Sequence, residues 1–143
     1  MTTYTPQDRL RHKDDVDQWR ADARWFAQEA ATARDDAIEV RRLAADLGAE
    51  IDPLRTMLDS IGGLHTRTTW EGNAATASRR RLEGHEGRRV LAVRTLDGVI
   101  DDLEAQAQAL DKVQQDNESW RDGRRADANW LASQIGYYNG VLL

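Results

Sequence analysis

Cysteine is absent from all 143 residues. That excludes disulfides, thiol nucleophiles and cysteine metal sites, and leaves the redox compartment undetermined. Proline occurs twice and phenylalanine once, while Ala, Leu, Arg, Asp and Glu dominate, the mixture of long helices rather than of sheets. Almost no strand is expected. No apolar run approaches the ~18 residues of a membrane span, and the opening Met1-Thr2-Thr3-Tyr4-Thr5-Pro6-Gln7-Asp8 has no basic stretch followed by an apolar core. Neither membrane insertion nor a cleaved signal peptide is expected. Lysine is scarce too: only Lys13 and Lys112 stand among the 20 basic residues, an arginine bias common in high-GC genomes and expected of an actinobacterial source.

The equipment of catalysis is equally thin. His12, His65 and His85 lie far apart and form no H-x-x-x-H or H-E-x-x-H pair for a metal, so they are expected to be solvated. There is no G-x-S-x-G elbow, and Gly84 and Gly87 do not complete a phosphate-cradling G-x-G-x-x-G. The doublets Asp14-Asp15, Asp35-Asp36 and Asp101-Asp102 fit exposed helix faces. The expectation is no enzyme, no cofactor and no metal.

What is present is periodicity. A first helix opens at Thr5-Pro6-Gln7-Asp8, with Thr5 as N-cap, Pro6 at the first helical position and Asp8 answering the cap. From there Val16, Trp19, Ala23, Phe26, Ala30, Ala33, Ala37, Val40, Ala44, Leu47, Ile51, Leu54, Leu58 and Ile61 alternate steps of three and four without a slip. Such a heptad seam holds one face of a helix of roughly 70 Å against a partner helix. Pro53 falls inside the seam and predicts a bend near residues 48–52 rather than a break, because the apolar register continues across it. The small residues from Ala23 to Ala37 are compatible with close helix approach and equally with plain helix propensity.

The second arm repeats the pattern: Val93, Leu96, Ile100, Leu103, Ala107 and Leu110, then Gln114, Asn117, Arg121 and Arg124, then Ala128, Leu131, Ile135, Tyr138 and Leu142. The polar stretch 114–124 cannot be buried unpaired without a cost of about 1 to 3 kcal/mol per group, so a wet or frayed middle is expected. With Asp122-Gly123 beside it, the second helix is expected over about 73–121 and a short third helix over about 124–143.

Between the arms lie Gly62-Gly63 and Thr69-Trp70-Glu71-Gly72-Asn73-Ala74-Ala75. The paired glycines are expected to end helix one near residue 61, and Trp70 and Gly72 to form the corner, the indole wedged between helix ends and the Cβ-less Gly72 admitting close backbones. The fold class is therefore all-α, a single antiparallel helical hairpin. Folding the arms about residue 69 or 70 pairs positions whose numbers sum to roughly 139: Trp19 opposite Trp120, Phe26 opposite Val113, Leu47 near Val93 and Leu58 opposite Leu82. The expected helix–helix interface is Trp19, Phe26, Val40, Leu47, Ile51, Leu54, Leu58, Ile61, Leu82, Val93, Leu96, Ile100, Leu103, Leu110 and Trp120. The basic block Arg79-Arg80-Arg81 and Arg88-Arg89 falls, in that register, beside Asp59, Asp52 and Glu50. Interhelical pairing and a net charge of -5 thus argue against nucleic-acid binding.

The segment Trp70-Glu71-Gly72-Asn73-Ala74-Ala75-Thr76-Ala77, set between two heptad arms, resembles the W-x-G-x-A-A signature of the WXG (ESAT-like) superfamily of type VII secretion proteins. The spacing of Val93, Leu96, Ile100, Leu103, Ala107 and Leu110 resembles that family's second helix, and the similarity covers roughly residues 14–120. It implies a hairpin that dimerises into a four-helix bundle and is exported folded, as secretion substrate, partner or chaperone. The chain departs from the family in being longer and in lacking the tail Y-x-x-x-D/E: four residues after Tyr137 and Tyr138 stand Val141 and Leu142. Trp25, Ile38, Leu43, Val99 and Val113 lie off the seam and would remain in water unless another hairpin covers them. A homodimer or a heterodimer with another small helical protein is accordingly expected, with the type VII machinery as a further partner and a location outside the cell, or else in the cytoplasm. A non-secreted helical adaptor or structural subunit, of a phage or another assembly, and a stand-alone targeting domain of a toxin system are the other classes compatible with the pattern.

Overall fold

A computed structural model describes residues 4–66 and 73–141. Two helices, α1 (Pro6–Thr66) and α2 (Asn73–Val141), take up all of these but Tyr4 and Thr5. The chain is an all-α helical hairpin, with no strand among the described residues.

The start of α1 is a reciprocal cap. The Asp8 backbone N–H donates to Thr5 Oγ1 at 3.2 Å, and the Thr5 N–H and hydroxyl donate to Asp8 Oδ2 at 3.0 and 2.7 Å. Donors otherwise orphaned in a first helical turn are thereby satisfied. These bonds favour the ionised carboxylate and hold the Asp8 pKa below its ordinary value of 3.8. His12 is not solvated as expected: it is half-buried, its ring against Tyr4 and its Nδ1 3.1 Å from the Tyr4 hydroxyl.

Two expected boundaries are corrected. α1 runs through Gly62 and Gly63 to Thr66, while its continuation across Pro53 is as expected. Glycine costs a helix only about 1 kcal/mol relative to alanine, which weakens it without ending it. α2 likewise runs unbroken through Gly123 to Val141, so there is no separate third helix. Its polar stretch is neither frayed nor unpaired. Asn117 is buried and donates from Nδ2 to the Val113 carbonyl at 2.8 Å, Gln114 Nε2 donates to Glu118 at 2.9 Å, and Arg121 Nε donates to Asp122 Oδ1 at 2.8 Å.

Burial follows the heptad. In α1 the buried residues are Val16, Ala23, Ala30, Ala33, Ala37, Ala44 and Ile51, with Trp19, Phe26, Val40, Leu47 and Leu54 half-buried between them. In α2 every seam position from Val93 to Ile135 is buried or half-buried, the polar ones included. Among the described residues, seven of the eleven buried apolar side chains are alanines, and the chain divides into two compact units. The first comprises Met1–Ala37 and Ala109–Leu143, the second Ile38–Gln108. In the first unit Val16, Ala128 and Leu131 form a core on which Trp19, Ala132 and Ile135 pack. Further along that unit the alanines of α1 lie in the register of Gln114, Asn117 and Arg124, small residues making room for long ones. In the second unit Leu47 and Leu103 line one groove, and a Cβ at Gly48 would lie 3.9 Å from Ile100 Cδ1.

The register differs from the one expected by about a heptad. Facing residues have numbers that sum to 146 for Phe26 and Trp120, 148 for Gly48 and Ile100, and 150 for Leu47 and Leu103, not 139. Trp19 thus packs on the core that holds Ala128 rather than opposite Trp120, Phe26 meets Trp120 rather than Val113, and Leu47 shares a groove with Leu103 rather than lying near Val93. A seam of alternating threes and fours repeats every seven residues, so matching apolar to apolar cannot distinguish registers one heptad apart. Size and charge can. The observed register packs the large Trp19 against the core that holds the small Ala128, where the other would set it opposite a second indole, Trp120. It also pairs Arg55 with Asp97, where the other would place Gly84.

Candidate protein-interaction surface

If the seam is written as positions a and d of a heptad, with Val16, Ile51, Val93 and Ala128 at a, each helix has two flanks. Residues at e and b lie on one side of the seam, and residues at g and c on the other. In an antiparallel pair, e faces e and g faces g.

The e flank is complementary within the chain. In the first unit α1 contributes Lys13, Arg20 and Arg34 and α2 contributes Asp111, Glu118 and one cation, Arg125; in the second, Arg41 and Arg55 stand on α1 and Glu83, Asp97 and Glu104 on α2. The Arg55–Asp97 ion pair belongs to this flank. The expected pairing of the arginine block with Asp59, Asp52 and Glu50 is not found among the described side chains, which do not include that of Arg79. Arg88 instead donates from Nε to the carbonyl of Gly84 in its own helix, at 3.3 Å.

The g flank has no such internal match. In the first unit it carries Trp25, Val113, Trp120 and Trp130, all exposed; in the second, Leu43, Met57 and Val99, also exposed. Trp25 meets Phe26 edge-on with ring centroids 5.2 Å apart, and Phe26 meets Trp120 at 5.6 Å. A half-buried phenylalanine therefore bridges two exposed indoles. Beside them runs a groove of about 430 Å³ lined by Phe26, Ser119, Trp120, Gly123, Arg124 and Asp127. A Cβ on Gly123 would meet nothing within 4 Å, so the groove is open there. Arg124 Nε lies 3.9 Å from Asp22 Oδ2 and ties the groove wall to α1.

The expected interface residues divide. Ile51 and Val93 are buried, and Trp19, Phe26, Val40, Leu47, Leu54, Leu96, Ile100, Leu103 and Leu110 are half-buried. Leu82, expected at the helix–helix interface, is 41% exposed, and Trp120 is 55% exposed. Trp120 occupies position g, beside the seam and not on it, a placement legible in the spacing from Asn117 and Arg121. Trp130, at position c, escaped the reading for want of any seam role. The side chains of Leu58 and Ile61, and the corner residues Trp70 and Gly72, lie outside the described residues.

Among the described residues no group of three or more His, Asp or Glu side chains is placed to hold a metal ion, and no helix is long and apolar enough to cross a membrane. No protein-family model, curated protein or solved structure matches the chain.

Proposed function

We propose that this protein acts by helix–helix docking, as a WXG-like substrate or partner of a type VII secretion system, and has no catalytic role. The observation that carries this reading is the filled seam together with the bare g flank. Each helix already spends its a and d residues on the other, yet large apolar side chains stand off the seam in water. Monomeric surfaces rarely keep such patches without a partner. Trp70-Glu71-Gly72, in the connection between α1 and α2, supplies the resemblance to secreted helical hairpins. The missing Y-x-x-x-D/E suits a heterodimer in which the partner carries the export tail, with a four-helix bundle as the assembled form.

Export is tested by immunoblotting culture supernatants of the native host with and without a functional type VII ATPase. The protein should appear outside the cells only when the ATPase works. Retention in the cells of both strains would instead identify a non-secreted helical adaptor.

A further inference from the structure

We infer that the g/c flank of the unit formed by residues 1–37 and 109–143 docks an amphipathic helix of a partner protein whose apolar ridge is bordered by lysine and arginine. This rests on the helix-docking reading above and names the partner's chemistry. Three of the chain's five tryptophans stand on this flank, Trp25, Trp120 and Trp130 being 56%, 55% and 63% exposed. Tryptophan is the residue type that most often dominates binding energy when a partner desolvates it. The open slot over Gly123, walled by Trp120 and floored by Phe26, has room for an apolar side chain.

Charge selects the occupant. On the g and c positions of this unit stand Asp15, Asp22, Glu29, Asp36, Asp116 and Asp127, with Asp8 in the cap of α1, against one basic residue, Arg11. Asp22 is near Arg124 and Asp116 pairs with Lys112 at 3.1 Å, while Asp15, Glu29, Asp36 and Asp127 have no ion-pair partner among the described residues. The opposite flank of the same unit is nearly balanced in charge, and Leu10 is its exposed large apolar residue. Tryptophans rimmed by carboxylates complement a ridge rimmed by cations. They repel nucleic acid and anionic lipid surfaces, which carry the same sign. A second copy is disfavoured on the same ground, because a two-fold interface sets a patch against itself and would bring these carboxylates together. The balanced flank of a second copy offers no apolar ridge to fill the groove.

The test uses the full chain and two fluorescein-labelled helical peptides of about four heptads with the same leucine ridge, one bordered by Lys and Arg and the other by Glu. Fluorescence anisotropy should show the basic peptide binding at least tenfold tighter, with the gap narrowing as salt is added. Gly123→Arg fills the slot and adds a cation to the rim while replacing a poor helix former by a good one. It should weaken the basic peptide at least tenfold without lowering the melting temperature, whereas Arg24→Glu on the opposite flank should leave binding unchanged. Equal binding of both peptides would overturn the partner chemistry and leave helix docking standing. Binding of neither would overturn both. A dimer by light scattering that Gly123→Arg turns into a monomer would show a second copy on this flank and overturn the inference as well.

Discussion

Ile51 and Ile38 are the same residue on the same helix, one on the seam and one off it, and replacing each by alanine isolates what the seam contributes. Ile51 is 0% exposed and Ile38 is 58% exposed. Truncation of Ile51 removes three carbons from a packed site, about 2.4 kcal/mol at ~0.8 kcal/mol for each buried carbon. The space left behind adds about 1 kcal/mol or more, because the surroundings of a buried site relax only in part. A small gain in helix propensity, about 0.4 kcal/mol, offsets part of this. The expected loss for Ile51→Ala is therefore about 3 kcal/mol. With an unfolding entropy near 0.3 kcal/mol/K for a chain of this length, the melting temperature should fall by about 10 °C. Ile38→Ala gives up little buried area and gains the same propensity, so it should stay within about 0.5 kcal/mol of the parent. Urea titrations followed by far-ultraviolet circular dichroism measure both. Equal losses that do not change with protein concentration would refute the assignment of the seam. If Ile38→Ala is costly only at high concentration, the side chain is covered by association with another chain.

The absence of cysteine allows a direct test of register: Gly48→Cys with Ile100→Cys should crosslink on mild oxidation, and Gly48→Cys with Leu91→Cys, the pair required by a fold about residue 69 or 70, should not. Reversed yields would restore the unshifted register. Gly48→Ala should stabilise the protein by about 1 kcal/mol through helix propensity, because the new methyl meets only Ile100 Cδ1 at an ordinary 3.9 Å; a drop in urea midpoint would mean that the helices cannot accept it. Thr5→Ala should cost about 1 kcal/mol by removing the cap of α1, measured in the same titrations. Because the Asp8 pKa is depressed in the folded chain, its contribution is present above the ordinary carboxylate value and lost as pH falls through the folded one. The gap between the melting temperatures of the parent and Asp8→Ala should therefore begin to narrow as the pH falls below about 4 and close only below the depressed folded value, and a gap that persists in stronger acid would show that the carboxylate does not act through its charge.

The sequence by itself determined the helices and their facing stripes. An unbroken three-four alternation admits only a helix with one buried face, and Thr5-Pro6-Gln7-Asp8 carries its own capping chemistry, so these features depend on residues within a few turns of each other. Glycine and the polar run 114–124 misled because local propensity sets a modest penalty without saying what the rest of the chain offers against it. At Gly123 the tertiary structure offers the Val16, Ala128 and Leu131 core just beyond, whereas Asn117 finds its acceptor one turn back in its own helix, at the Val113 carbonyl. Only the tertiary structure decided the register. A heptad pattern looks the same after a shift of seven residues, and the choice fell to contacts between residues distant in sequence, Trp19 beside Ala128 and Arg55 with Asp97. The same shift turned Trp120 from a supposed partner of Trp19 into an exposed wall of the groove over Phe26. That surface was beyond reading from one stripe alone, since it exists only where the flanks of two helices are brought side by side.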